Sequence, residues 1–308
     1  MSAVELMCLH CGSPLGHLRQ TAPCQCGACL RVEDGILRAI EPRRREYYSR
    51  FLQDYAAIRH AEGRGSADPA YYRALPFNDL SGRNSAQWRI RAATYRYFES
   101  RLLPKTALDI LDLGAGNGWL SYRLACRGHR PVAVDIFTDD LDGLRAARTY
   151  GQFPLVEAEF DRLPFAAAQF DLAIFNSSLH YSTDYQDTLA EAVRCLRPSG
   201  SILVLDSPLY RRREHGEMMR AERHAQFQAR YGFPSDTVPS LEFLYEAQLS
   251  ELARDLRLTW RIRQPWYGWK WHLRPVRAAL ARKRPPSRFC ILEARPQASA
   301  TRKERVPV

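Results

Sequence analysis

Leu111-Asp112-Leu113-Gly114-Ala115-Gly116-Asn117-Gly118-Trp119-Leu120 is the stretch on which the reading of this chain turns. The apolar run 107–111 leads into three alternate glycines. Beyond them Trp119, Leu120, Tyr122, Leu124 and Ala125 recur at helical spacing, so the segment reads as strand, tight turn, helix. Such glycines permit positive φ and let a ligand lie against bare backbone at a helix N-terminus, where a phosphate is the usual guest. Two details disfavour a dinucleotide. The spacing is G-x-G-x-G rather than G-x-G-x-x-G, and Asp112 sets beside the loop a carboxylate that would repel a pyrophosphate and attract a cation. The next predicted strand, 131–134, ends in Asp135, where a carboxylate can accept from both hydroxyls of a ribose. Together these features suit a nucleoside that carries positive charge and no phosphate.

Three further blocks follow in order. Glu157-Ala158-Glu159-Phe160-Asp161-Arg162-Leu163-Pro164-Phe165 puts an acid ahead of Leu-Pro-Phe. Phe170-Asp171-Leu172-Ala173-Ile174-Phe175-Asn176 leads to Leu179-His180-Tyr181. Leu196-Arg197-Pro198-Ser199-Gly200 turns into an apolar run that ends at Asp206. With the glycine turn, these blocks resemble the class I S-adenosylmethionine-dependent methyltransferases of the small-molecule branch, over about residues 108–206. The resemblance implies an α/β fold: a doubly wound, mostly parallel, seven-stranded Rossmann-like sheet. It implies S-adenosylmethionine as cofactor, held by Asp112, Gly114, Ala115, Gly116, Asn117 and Gly118, by Asp135 and Ile136, by Glu159 with the Phe160 backbone at the adenine, and by Asn176. Asp161 is a second candidate for the adenine acid. Strands alternating with helices agree with it independently, since in such sheets ligands sit beyond the carboxyl ends of the strands.

The N-terminal forty residues carry Cys8-x2-Cys11-Gly12 and Cys24-x-Cys26-Gly27-Ala28-Cys29. Paired thiolates separated by about a dozen residues can close a tetrahedral structural zinc site in a segment too small for its own core. Spacing alone favours Cys26 and Cys29 as the second pair, whereas the matching Cys-Gly steps favour Cys24 and Cys26. The segment is also similar to zinc ribbons that precede some methyltransferases, and that likeness selects Cys8, Cys11, Cys24 and Cys26. Four thiolates leave no open position for catalysis, so the zinc is expected to be structural.

Residues 41–105 read as a helical cap. Pro42 opens a helix over 41–62 whose Tyr47, Tyr48, Phe51, Leu52, Tyr55 and Ile58 form an aromatic stripe at spacings of three and four. The stripe is either a packing face or a lid over the cofactor; in the second case Tyr55 and Arg59 face the site, and Arg59 meets the methionine carboxylate. A loop over 68–82 and a helix over 85–103 complete the cap. The catalytic domain is expected over 106–295, with insertions at 207–257 and 267–287. A polar tail, expected to be disordered, covers 296–308.

Composition bounds the rest. An apolar content of 45% in 308 residues supports a full core, and no apolar run has the length of a membrane span, so a cytoplasmic protein without a membrane partner is expected. The net charge of +11 comes from arginine, lysine occurring only at positions 105, 270, 283 and 303. In 267–287, aromatic residues alternate with bases, which suits stacking on nucleotides, roofing a small-molecule pocket, or plain packing. Methyl transfer from a sulfonium is an in-line displacement in which the protein aligns the nucleophile and removes water, so no obligatory catalytic set exists. His180 and Tyr181 are the candidates for base or orienter. The leading expectation is methylation of a small-molecule acceptor at oxygen, nitrogen or carbon. An RNA base methyltransferase, with RNA as partner, is the alternative; a noncatalytic scaffold is the third.

Overall fold

The structure, a computed structural model, describes residues 4–297 apart from 19, 22, 29 and 235. The chain opens with a three-stranded antiparallel sheet: β1 (Glu5–Met7), β2 (Pro14–His17) and β3 (Gln20–Thr21). A hairpin of β4 (Arg31–Glu33) and β5 (Ile36–Arg38) follows. It turns through Asp34 and Gly35 at φ 53° and 76°, the Asp-Gly chemistry that a two-residue hairpin with right-handed strand twist requires. The cap consists of α1 (Pro42–Ala61), α2 (Pro69–Ala74) and α3 (Ser85–Arg101).

The alternating core then runs β6 (Asp109–Leu113), α4 (Trp119–Cys126), β7 (Arg130–Asp135), α5 (Leu144–Ala147), β8 (Leu155–Glu157), β9 (Phe170–Asn176), α6 (Tyr185–Cys195) and β10 (Leu196–Leu205). The C-terminal part contains β11 (Leu209–Tyr210), α7 (Arg213–Tyr231), β12 (Leu244–Tyr245), α8 (Glu246–Asp255), β13 (Leu258–Arg263), α9 (Trp269–His272), α10 (Arg274–Leu280) and β14 (Ile291–Pro296).

The main sheet has nine strands in the order β13-β14-β10-β9-β6-β7-β8-β5-β4, two more than expected. Strands β5 to β10 are parallel, and β14 runs antiparallel to both of its neighbours. The additional pair is the β4–β5 hairpin: β5 covers the otherwise open edge of β8, pairing Ile36 with Leu155 and Arg38 with Glu157. Arg38 and Arg45 then converge on the Glu157 carboxylate at 3.3 and 2.8 Å. The described part of the first forty residues thus shares a sheet and a core with the rest of the chain. Leu6, Cys8, Leu15 and Leu37 pack in the same core as Val156, Leu163 and Phe165.

Helix α3 buries Trp88, Ala92, Tyr95 and Phe98, with Trp88 and Tyr95 each standing edge-on to Trp119 at 5.9 Å between ring centres. Elsewhere the helical pattern overstates the result. Periodicity predicts a helix over 139–150, but only α5 forms, because the Asp139 carboxylate accepts the N–H groups of Leu141 and Asp142 at 2.8 and 2.9 Å and holds the segment as a turn. The reverse holds in 68–82, where Asp68 caps α2 through the Ala70 N–H at 2.9 Å and Pro69 opens its first turn. At the C-terminus Pro296 closes β14, and the tail beyond it, 298–308, lies outside the described residues.

Candidate active site

The carboxyl ends of β6, β7, β8 and β9 open into one cleft of about 1160 Å³, part of it open to solvent. At its floor the turn after β6 carries Gly114 and Gly116 at φ 78° and 53°. A Cβ on Gly114 would stand 2.2 Å from that of Ser178, so only glycine lets the loop after β9 seat against the turn; Ser178 Oγ bonds to the Leu113 carbonyl across this contact. A Cβ on Gly116 would meet nothing nearer than the Asp142 carbonyl at 3.5 Å. At this position glycine serves φ and open space rather than contact. Gly118 does something else: its missing Cβ would touch Ala147 at 2.7 Å, so it allows α4 to approach α5 and faces away from the cleft.

Asp135, at the end of β7, receives the N–H of Gly116 on one carboxylate oxygen and that of Phe137 on the other, both at 2.8 Å. Burial pushes its carboxyl up to about 6 against the pull of those donors. No cation pairs with it among the described residues, which leaves its remaining lone pairs for donors in the cleft. Asp112 differs from the expectation of an acid beside a ligand. It is fully buried beneath the turn, bonded to Ser121 Oγ at 2.7 Å with the other oxygen unpartnered, and burial raises it to about 7.

Helix α1 lies across the cleft and is clasped at both ends. Near its start Arg44 and Tyr48 donate to Glu159 at 2.6 and 2.9 Å; near its end Arg59 pairs with Asp142, and His60 meets Asp139 at 3.1 Å. Between the clasps, Phe51 and Tyr55 pack with Tyr181, Phe137 and Val238 as an aromatic roof. Of the two readings of the stripe, the lid over the cleft is the one the structure adopts for Tyr55. Glu159 reaches the cleft with its Oε1 already committed to Arg44 and Tyr48, while neighbouring Phe160 and Asp161 also line the wall. Burial, then Glu159, raises Asp161.

Arg59 lines the cleft, yet its charge is matched by Asp142. The guanidinium that the sequence reading missed is Arg91 of α3. It lines the same wall, rests over Trp88 at 4.8 Å, and makes no hydrogen bond or ion pair among the described residues. Burial, with Arg64 and Arg59 nearby, lowers it to about 10. Its position one helical turn from Trp88 on the buried flank was the available signal, but Trp88 and Ala92 read simply as packing.

Ala115, Gly116, Asn117, Ile136, Asn176 and Tyr181 also line the cleft. His180 does not. Only 6% of it is exposed, its ring packs on Tyr181 at 4.5 Å, and its Nδ1 lies 3.3 Å from Ser207 Oγ. Burial, with Arg223 and Arg91, depresses it to about 3, so it is a neutral ring and a weak proton acceptor near neutrality. The expected base role for His180 is withdrawn on those grounds.

At the far edge, the sulfurs of Cys8, Cys11, Cys24 and Cys26 all lie within 4.8 Å of one another, with Cys11 and Cys24 at 3.3 Å and Cys8 and Cys26 at 3.6 Å. A tetrahedral zinc with bonds of about 2.3 Å needs sulfurs about 3.8 Å apart, which this set approaches. The matching glycines have a shared purpose: Gly12 and Gly27, at φ 73° and 85°, return their N–H groups to the carbonyls of Cys8 and Cys24. Cys29 lies outside the described residues. This ribbon touches the cleft indirectly. Met7 N–H bonds to the Pro164 carbonyl, and Arg162 reaches the Leu9 carbonyl, both on the segment that follows Glu159 and Asp161.

A doubly wound sheet with its cleft at the strand ends, a glycine turn and an anchored Asp135 defines the class I methyltransferase fold. Residues 111–204 match the family described as Methyltransferase domain. That segment is therefore a methyltransferase domain of the class I, S-adenosylmethionine-dependent type. It is 30% identical over 126 residues to the malonyl-[acyl-carrier protein] O-methyltransferase of Erwinia pyrifoliae, covering 40% of this chain and 47% of that protein. It is 39% identical over 101 residues to an uncharacterized methyltransferase of Mycobacterium tuberculosis, covering 33% and 40%. The chain thus spans less than half the length of these curated relatives. Among solved structures, a methyltransferase in complex with the Trm112 methyltransferase activator of Haloferax volcanii superposes with a TM-score of 0.50 at 18% identity, over 73% of this chain and 98% of that one, a likeness of fold.

Proposed function

We propose that this protein transfers a methyl group from S-adenosylmethionine to a small-molecule acceptor. The observation that carries the reading is Asp135: a carboxylate fixed by two backbone N–H groups at the end of β7, without a cation among the described residues, beside a turn that leaves open space at Gly116. That arrangement suits the two hydroxyls of a ribose and disfavours a pyrophosphate. When bound, S-adenosylmethionine supplies a methyl group on a sulfonium, an activated carbon with a neutral thioether as leaving group.

The remaining work falls to this chain's residues. Asp135 takes the ribose, Phe160 and its neighbouring acids flank the base, and Arg91 receives the amino-acid carboxylate in place of Arg59, which is held by Asp142. Tyr55, Phe51 and Tyr181 roof the methyl and exclude water, and Asn176 stands at the lip of β9. His180, fixed behind Tyr181, acts through that ring. A general base is not required where the acceptor is itself a nucleophile at neutral pH. The relative from Erwinia pyrifoliae is named for O-methylation of a carrier-bound malonyl group, which supports an acceptor presented to a roofed pocket. On the wall of the cleft Arg91 is the one guanidinium without an acid, among the described residues, which does not favour a phosphate backbone there. The four-sulfur ribbon holds one structural zinc in this reading.

Incubation with cofactor labelled in its methyl group and a fractionated metabolite extract tests the proposal. Label in a low-molecular-weight product is the expected result; label confined to RNA would overturn the acceptor class, and failure to bind the cofactor would overturn the activity.

A further inference from the structure

The segment between β13 and β14 has an inner and an outer face with different chemistry. Its inner face is anchored. Tyr267 Oη lies 2.9 Å from Thr94 Oγ1, Trp271 packs on Phe289 at 5.4 Å, and Arg274 lies over the Trp271 ring and bonds to the Ser287 carbonyl. Its outer face is apolar and uncovered. Trp269, Leu273, Val276 and Leu280 recur along α9 and α10 at spacings of three and four, the interval that lines one side of a helix, and Trp266 stands just ahead of α9. All five are between 50% and 82% exposed. The two tryptophans lean edge-on against each other at 5.0 Å and still remain more than half exposed.

The segment that carries this stripe has charged side chains of one sign. From residue 256 to residue 292 there is no Asp or Glu, against ten Lys or Arg. Some of these are committed, Arg263 to Glu293, Arg284 to Glu222 and Arg288 to Glu246. Lys270, Arg277, Arg282 and Lys283 are exposed, and their side chains make no hydrogen bond or ion pair among the described residues. Apolar residues along one side, two tryptophans among them and flanked by free cations, form the pattern of a helix that lies in the plane of a membrane interface.

We infer that this face docks on the surface of a bilayer containing anionic lipid. Trp266, Trp269, Leu273, Val276 and Leu280 enter the boundary between headgroups and acyl chains, and Lys270, Arg277, Arg282 and Lys283 meet lipid phosphates. The described helices include none long and apolar enough to cross a membrane. Docking in the interface plane requires no such helix, so the expectation of no membrane partner, drawn from the lack of a span, is replaced here by surface attachment. A second copy of the same face would bring uncommitted cations together without acids to answer them. Nucleic acid would satisfy the cations and the tryptophans but leave Leu273, Val276 and Leu280 in water.

The full-length protein is sedimented with vesicles of phosphatidylglycerol and phosphatidylcholine, and with phosphatidylcholine vesicles alone. Binding to the anionic vesicles and little to the neutral ones is expected, decreasing with salt. Lys270→Gln/Arg277→Gln should weaken it roughly 30-fold. Trp269→Ser/Leu280→Ser should weaken it roughly 100-fold. Both variants lie outside the cleft, so cofactor affinity equal to that of the parent protein shows that they fold. No binding to anionic vesicles overturns the proposal. So does binding that survives the apolar pair, which would make the face a simple polyanion site, tighter retention on duplex RNA than on vesicles, or a dimer that the apolar pair abolishes.

Discussion

Arg91 and Arg59 stand on the same wall of the cleft and should respond to removal in opposite ways. Arg59 is paired with Asp142, a carboxylate with only 4% of its side chain exposed. Arg59→Ala would leave that charge buried without its cation, with Asn117 Nδ2 at 3.1 Å as its remaining side-chain donor. Breaking one partner of a buried pair costs about 3–5 kcal/mol, a loss that appears in stability. Among the described residues Arg91 has no such partner, and burial already penalises its charge. Arg91→Ala should therefore leave stability unchanged or slightly improved. If it holds the carboxylate of the cofactor, the variant loses a charge-assisted hydrogen bond of about 1.5–3 kcal/mol, roughly 10- to 150-fold in affinity. Two measurements separate the pair: thermal unfolding, and calorimetric titration with S-adenosylhomocysteine and with 5′-methylthioadenosine, which lacks the amino-acid carboxylate. Arg91→Ala should weaken the first ligand and spare the second. Unchanged affinity for S-adenosylhomocysteine in that variant would refute the reasoning and return the carboxylate to Arg59.

Three other outcomes follow from the same geometry. Because burial holds Asp135 near 6 and its role needs the ionised form, cofactor affinity should fall as pH drops through about 6; Asp135→Asn should bind more weakly at pH 8 and lack this dependence, as read by titration across pH 5–8. His180→Asn should leave the pH profile of turnover between 6 and 8 unaltered, since a ring depressed to about 3 carries no proton there, and loss of an acidic limb would restore a base role. The protein should contain one zinc per chain, absent in Cys8→Ser. Because β1 and its following turn hold the Pro164 carbonyl and Arg162, losing the metal should also lower cofactor affinity, on the order of tenfold if two such contacts are lost; unchanged affinity in metal-free protein would separate ribbon from cleft.

The core strands were legible because each ends in a residue type that chemistry needs there. Gly114, Asp135, Glu159 and Asn176 are in sequence order, and the structure brings all four to one cleft. The four-sulfur set was legible for a similar reason, through the repeated Cys-Gly step. What could not be read was pairing across long separations. Glu159 looked free in sequence, and its partners Arg44 and Tyr48 sit more than a hundred positions earlier. The β4–β5 hairpin looked like the end of the ribbon, since nothing local announces that an edge strand will meet β8. Asp112 and His180 were misplaced because sequence gives spacing and not depth: they lie within two positions of the cleft residues Gly114 and Tyr181 and are themselves buried.

The central claim is that the cleft takes a cationic nucleoside without phosphate, and calorimetric titration of the zinc-loaded, full-length protein measures it most directly. S-adenosylmethionine and S-adenosylhomocysteine should each bind with one site per chain, NAD should not compete, and Asp135→Ala should weaken both by about 1–3 kcal/mol. Binding of NAD at the same site, or cofactor affinity indifferent to Asp135→Ala, would contradict the account.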